Sequence, residues 1–151
     1  MALSEQFKED NIENIRIYHY VEELVYSYRT YERELLKDND ISIVEAPFLL
    51  RIRFSDNASQ NELSKLFKVS KGYTAKLLRK FEDNSWVTRK EDPDNHRKKI
   101  VKLTPEGFEK TEELLVIMDS WENKITQNLS PVEVSILKKL LFQLVKESGD
   151  N

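Results

Sequence analysis

A mainly α fold with a small two-stranded β wing is what this sequence predicts, and three observations lead there. The 151 residues are 34% charged and 39% hydrophobic with only three glycines and four prolines, a balance that suits helices around one core better than a sandwich or a disordered tail. Apolar residues recur at alternating steps of three and four through most of the chain, the spacing of one helix face. Only Trp86-Val87-Thr88-Arg89-Lys90 and Lys99-Ile100-Val101-Lys102-Leu103 are β-branched and alternating instead, with a turn-rich segment between them. A single domain, 1–151, is expected.

The first long segment places Ile17, Val21, Leu24, Tyr28, Tyr31 and Leu35 on a coiled-coil-like seam, and Ile15, Tyr18 and Val25 add apolar surface beside it. That is more than one partner in a small domain covers, so 8–38 reads as a dimerisation helix; an ordinary core helix would show the same two heptads. Lys37-Asp38-Asn39-Asp40 breaks the pattern. Ser42-Ile43-Val44-Glu45 then offers a capping box, whose hydroxyl and carboxylate satisfy orphan amides at a helix start. The second helix should run to about Phe54. Pro47 leaves its start open, because a proline five positions past a Ser42 cap deletes a hydrogen bond but is harmless if the helix begins nearer Glu45. Ser55-Asp56-Asn57-Ala58 reads as a loop.

Ser59-Gln60-Asn61-Glu62 is a second capping box, followed by Leu63, Leu66 and Phe67 on one face of a short helix. Lys68-Val69 turns the chain and Ser70 caps the next helix. There Thr74, Leu77, Leu78 and Phe81 form the apolar side, leaving Lys71, Gly72, Tyr73, Lys76, Arg79 and Lys80 on the other. Cations with no acid between 71 and 80 repel one another in an isolated helix, and a polyanion would relieve that. Gly72 is unfavourable in a helix interior by about 1 kcal/mol relative to alanine. It either admits a phosphate or base edge or is a tolerated first-turn glycine. The hairpin follows, with a long tip at 91–98. Thr104-Pro105-Glu106-Gly107 starts a helix with threonine as cap and proline first; it carries Leu114, Met118, Trp121 and Ile125 and ends near Asn128. Leu129-Ser130-Pro131-Val132-Glu133 repeats that start for a last helix with Ile136, Leu137, Leu140, Leu141, Leu144 and Val145. Residues 104–148 therefore read, like the first helix, as packing between subunits. Two short helices, a sharp turn and a basic hairpin are the layout of a winged helix-turn-helix over 42–103, in which one helix enters a DNA major groove and the wing reaches phosphates or the minor groove.

Formal net charge is -3, but it is unevenly spread: 59–103 holds twelve Lys/Arg against six Asp/Glu, and the rest holds twelve against twenty-one. A basic module on an acidic body suits a DNA reader, because cations gain free energy by releasing counterions condensed on phosphates. A solvated charged face would give the same count. The absence of cysteine removes disulfides, thiolate nucleophiles, thiol redox sensing and Cys-type zinc sites. His19 and His96 stand on different elements, short of a zinc ligand set, so no metal and no cofactor is expected. The N-terminal MALSEQFKEDNIENI has no apolar signal region and no run approaches a membrane span, so a cytoplasmic chain with no membrane partner is expected. No Gly-rich phosphate loop or nucleophile–base set marks an enzyme.

The stretch NELSKLFKVSKGYTAKLLRKFEDNSWVTRKEDPDNHRKKIVKLTPEG resembles the central region of the multiple-antibiotic-resistance regulator (MarR) family. Helix spacing, Asp92-Pro93 at the wing tip and the Leu103-Thr104 to Gly107 exit match together, and the flanking helices come in that family's order. The resemblance implies a sequence-specific transcription regulator, a repressor that blocks promoter access. It implies a homodimer with intertwined terminal helices, placing two winged modules in successive major grooves of a pseudo-palindromic double-stranded DNA site, roughly 34 Å apart. Gly72, Tyr73 and Lys76 fall where members contact bases, and Arg97 on the wing arginine that enters the minor groove. Lys71, Lys80, Arg89, Lys90, Lys98 and Lys99 fall to phosphate contacts or steering; Ser70 and Arg79 complete the set. Tyr73 would stack on a thymine methyl or shield the helix end. The chain departs from the family pattern at several places: Arg79 replaces an aspartate that pairs with the wing arginine, Asn95-His96 an Asp-Arg, and Lys68 and Ser85 two glycines.

Members often bind small phenolic or carboxylate anions between the dimer helices and the winged module. By that resemblance Tyr18, Tyr26, Tyr28, Arg29, Tyr31 and Arg51 are candidates to line an effector site, or they are core and interface residues. Such a ligand acts only through different affinities for two arrangements of the reading helices. The competing reading is a winged-helix interaction module whose basic face meets a protein or RNA partner.

Overall fold

The structure is a computed structural model that describes residues 2–149, and its internal contacts divide the chain into two compact units, 1–117 and 118–151. The first unit opens with a 3-10 helix, Glu9–Asn14, followed by α1 (Ile17–Leu35), α2 (Ala46–Arg53), β1 (Ala58–Ser59), α3 (Gln60–Phe67), α4 (Lys71–Asp83), β2 (Val87–Asp92) and β3 (Asn95–Leu103). α5 (Pro105–Ile125) begins in it, and the second unit holds the end of α5 and α6 (Pro131–Gly149).

Side-chain caps fix most boundaries. Glu45 N donates to Ser42 Oγ at 3.2 Å within a turn, and α2 then begins at Ala46, so Pro47 sits in its first turn and breaks no helical bond. Gly107 N donates to Thr104 Oγ1 at 2.9 Å to start α5, and Ser130 and Glu133 form a reciprocal box at α6. The expected 8–38 helix is shorter. Ile15 is extended (φ -72°, ψ 128°) and turns its buried side chain inward before α1 begins at Ile17.

The sheet has three antiparallel strands in the order β1-β3-β2, one more than expected. Ala58, read as loop, pairs with Val101, and Ser59 with Ile100, so this two-residue strand satisfies the free edge of β3 just before α3. The wing tip is also tighter than the 91–98 segment suggested: the ladder reaches Asp92 opposite Asn95, leaving Pro93-Asp94 as the turn. Carboxylate and amide side chains make this workable, with Asp92 Oδ1 accepting from Asp94 N at 3.0 Å and Asn95 Oδ1 from Arg97 N at 3.2 Å.

One core joins these pieces in the first unit: Leu36, Ile41, Phe48, Leu49 and Ile52 meet Leu63, Leu77, Leu78, Phe81, Trp86, Val101 and Leu114. Lys110 is buried beside it, its ammonium accepted by Asn39 Oδ1 (2.7 Å), Asp40 and Glu113 and lying 5.2 Å from the Trp86 ring centre. Among the described residues no buried side-chain polar atom lacks a partner, and no helix is long and apolar enough to cross a membrane. Apolar surface is nevertheless left open on α1, at Ile17, Val21, Leu24 and Val25, and throughout α6, where Phe142 is 70% and Val145 68% exposed.

Candidate nucleic-acid interface

α3 and α4 form the helix-turn-helix, and local chemistry dictates their geometry. The Ser59 hydroxyl accepts from Glu62 N, and the Glu62 carboxylate accepts from Ser59 N, each at 3.2 Å. The Ser59 amide, foremost, and then its hydroxyl and Lys98 hold the Glu62 carboxyl below the ordinary carboxylate range. Lys68 ends α3 in the left-handed region (φ 52°, ψ 45°), with Val69 N bonded to the Ser64 carbonyl and Lys68 N to Lys65. α4 ends the same way: Ser85 has φ 62°, Trp86 N reaches the Phe81 carbonyl and Ser85 N reaches Glu82, each at 2.8 Å. Both are Schellman motifs, and the Phe81–Trp86 ring contact at 5.7 Å supplies the apolar clasp of the second. The two family glycines replaced here thus occupy the only positive-φ positions among the described residues.

Inside the elbow Ser64 Oγ donates to Thr74 Oγ1 at 2.8 Å, and Thr74 Oγ1 donates to the Ser70 carbonyl. Ser70 Oγ caps α4 by accepting from Tyr73 N at 3.0 Å. With Thr74, Leu77, Leu78 and Phe81 buried, Lys71, Gly72, Tyr73, Lys76, Arg79 and Lys80 lie on the outside as expected. Tyr73, 40% exposed, leans on Phe48, which stacks on Phe67.

The expected DNA-contacting cations divide into two groups. Lys80 pairs with Glu45 at 2.6 Å, Lys98 with Glu62 at 3.6 Å, and Arg89 with Glu82, with Gln60 accepting a further bond. Lys71, Lys76, Arg79, Lys90 and Arg97 have no acid partner among the described residues, and Lys99 stands opposite Glu91 across the ladder. At the tip His96 lies 3.5 Å from Glu91. The fastening residues Glu45, Gln60 and Glu82 carry no sequence signal, because each partner is on a different element and no local spacing links them.

The effector candidates are not gathered at one place. α1 turns about 100° per residue, so Tyr18, Tyr26 and Arg29 fall on an exposed side and Tyr28 and Tyr31 on a half-buried one; Arg51 is exposed on α2. Tyr28 donates to Glu32 at 3.3 Å. Burial pushes the Glu32 carboxyl up against the opposing pull of Tyr28 and Arg29, and burial likewise pushes the Tyr28 phenol up. A 270 Å3 hollow lined by Asn61, Ser64, Lys65, Val69 and Lys71, and a 510 Å3 one along α6, include none of the six.

A capped second helix whose cationic face is paired, among the described residues, only at Lys80, followed by a hairpin with more cations at its end, defines a winged helix-turn-helix protein. Residues 41–99 match the MarR family model, and over that stretch the chain is similar to that family of transcription regulators. The HTH-type transcriptional regulator BilQ of Clostridioides difficile is 27% identical over 94 residues, which span 62% of this chain and just under two thirds (64%) of that relative. A crystal structure of MarR aligns with a TM-score of 0.72 at 26% identity, over 91% of this chain and 100% of that one. A mutant MarR from Escherichia coli, crystallised with operator DNA, aligns with a TM-score of 0.63 at 26% identity, over 87% and 95%.

Proposed function

We propose that this chain is a cytoplasmic, dimeric repressor that binds a pseudo-palindromic DNA site through α4 and the wing. The observation that carries this is the free cation set Lys71, Lys76, Arg79, Lys90 and Arg97: like charges left without acids are stabilised by a polyanion. Gly72, Tyr73 and Lys76 are assigned to base edges, Arg97 to the minor groove, and Lys71, Lys90 and Lys99 to phosphates, with Ser70 shaping the helix start. Dimerisation is supported by the open apolar residues of α1 and of α6, since monomers rarely leave such large contiguous patches to water. MarR crystallised with operator DNA supports the same reading by family likeness. A phenolic or carboxylate anion is proposed to relieve binding, with the α1 tyrosines, Arg29 and Arg51 as candidate contacts.

Selecting duplexes from a random pool, with and without hydroxybenzoates, tests the whole. A palindromic consensus is expected, with affinity falling steeply as salt rises. Lys76→Ala should relax base preference, whereas Lys90→Ala should weaken every duplex alike and lower the salt slope by about 0.9 per lost phosphate contact. Equal binding to all duplexes would sink the regulator and favour a module that meets protein or RNA.

A further inference from the structure

Resting on the DNA-binding reading, we infer that Arg89 is a positioning residue that sets the wing against the reading helix, and not a phosphate contact. Its side chain is 15% exposed, and its donors point inward. Nε donates to Glu82 Oε1 at 2.7 Å, Nη2 pairs with the same carboxylate, and Nη1 donates to Gln60 Oε1 at 3.1 Å. Three elements therefore meet at one guanidinium: β2 of the wing, the last turns of α4, and the first residue of α3. A planar fork fixes direction as well as distance, which a lysine in the same place cannot do. A second tie, Lys98 to Glu62, runs from β3 to the first turn of α3. Beyond both ties lies the tip with Arg97, so the direction in which Arg97 projects relative to Lys76 and Arg79 follows from the angle at which the hairpin leaves its base. Tilting the hairpin requires pulling two guanidinium donors off one carboxylate oxygen, Glu82 Oε1, in a partly desolvated site. Arg89 acts on DNA through Arg97.

Glu82→Gln separates the two roles, because they predict opposite signs. If Glu82 merely restrained a phosphate-seeking arginine, removing its charge would tighten DNA binding and steepen the salt dependence. Positioning predicts about tenfold weaker binding to a duplex selected by the wild-type chain. Arg89→Gln should show the same loss. Arg97→Ala should weaken the wild type but add little to either variant, since a misdirected arginine has no contact left to lose. Thermal melting of each variant shows whether it folds; if Arg89→Gln does not, the Glu82→Gln and Arg97→Ala cycle decides alone. Equal or tighter binding by Glu82→Gln, or full additivity with Arg97→Ala, overturns the inference. A wild-type chain that prefers no duplex overturns the DNA reading itself, and the inference with it.

Discussion

Replacing Gly107 with alanine tests the tightest packing in the molecule. A Cβ there would lie 2.0 Å from the Trp86 carbonyl oxygen, 3.0 Å from its carbon and 3.1 Å from Leu103 Cδ2. Close C···O contacts settle near 3.3 Å, so the first turn of α5 and the start of β2 must part by about 1.3 Å. Neither side is free to give. The Trp86 carbonyl accepts from Thr104 N at 3.0 Å, Trp86 N is bonded to Phe81, and the Trp86 ring is buried. Overpacking costs about 1–3 kcal/mol and a lost hydrogen bond about 1 kcal/mol, while helix propensity returns at most about 1 kcal/mol. With the full propensity gain returned, the net is a destabilisation of about 1–3 kcal/mol, or a melting point lower by roughly 3–9 °C for a chain of this size. Gly72→Ala is the control, because its Cβ would meet nothing nearer than Ser70 Oγ at 4.0 Å. It should be neutral or stabilising in urea and thermal unfolding followed by circular dichroism. A Gly107→Ala protein that melts with the wild type, or a Gly72→Ala protein that is equally damaged, would refute the reasoning.

Lys68→Gly and Ser85→Gly should each stabilise by about 0.5–1 kcal/mol, because relief of left-handed strain exceeds the added entropy of the unfolded chain; lower urea midpoints for both would contradict this. Ser70→Ala should cost about 1 kcal/mol through the lost cap of α4, read from the same unfolding curves. Glu32 has a raised carboxyl in the folded chain, so its contribution is present at low pH and is lost as pH rises through that raised value. Glu32→Gln should therefore melt above the wild type at pH 7.5, with the gap closing toward pH 4; a gap constant with pH would refute the burial argument. Glu62 and Glu133 have lowered carboxyls and contribute above the ordinary carboxylate value, losing that contribution as pH falls. Their glutamine variants should lose stability relative to the wild type in full above about pH 4.5, the loss fading as pH falls through the lowered values, and equal melting at pH 7.5 would show the caps to be idle.

Helix starts were legible in this chain because their signals are local. Ser59 with Glu62, Ser70, Thr104 with Pro105, and Ser130 with Glu133 each announce a boundary within four residues. What stayed hidden depends on partners distant in sequence. β1 is only Ala58–Ser59, too short to show alternation, and exists through Ile100 and Val101. The wing strands extend into Glu91-Asp92 and Asn95-His96-Arg97-Lys98, whose residue types argue for loop; the ladder holds Glu91 to Lys99 and Asp92 to Asn95, with a register shift that bulges 96–98 outside the pairing, and two side-chain-capped amides support the tip. At the candidate site the sequence shows which side of α4 is cationic. It cannot show that Lys80, Arg89 and Lys98 are already matched by acids from other elements. The α1 tyrosines suggest one aromatic wall by composition, whereas helical geometry divides them between two faces.

The Ser64–Thr74 hydroxyl pair bears on how this protein can change. Apolar packing between two helices weakens gradually as one rolls on the other, but turning α4 by one residue, about 100°, would break this bond outright and leave each hydroxyl only its local acceptor, the Gln60 carbonyl for Ser64 and the Ser70 carbonyl for Thr74. The pair acts as an index mark on the inner side of the elbow, and it involves none of the residues on the outer side. New side chains at Lys71, Tyr73, Lys76 and Arg79 can therefore be tried without rotating the helix that presents them. On the DNA-binding reading proposed above, operator preference and the packing of the elbow are separately mutable, Tyr73 excepted because it leans on Phe48.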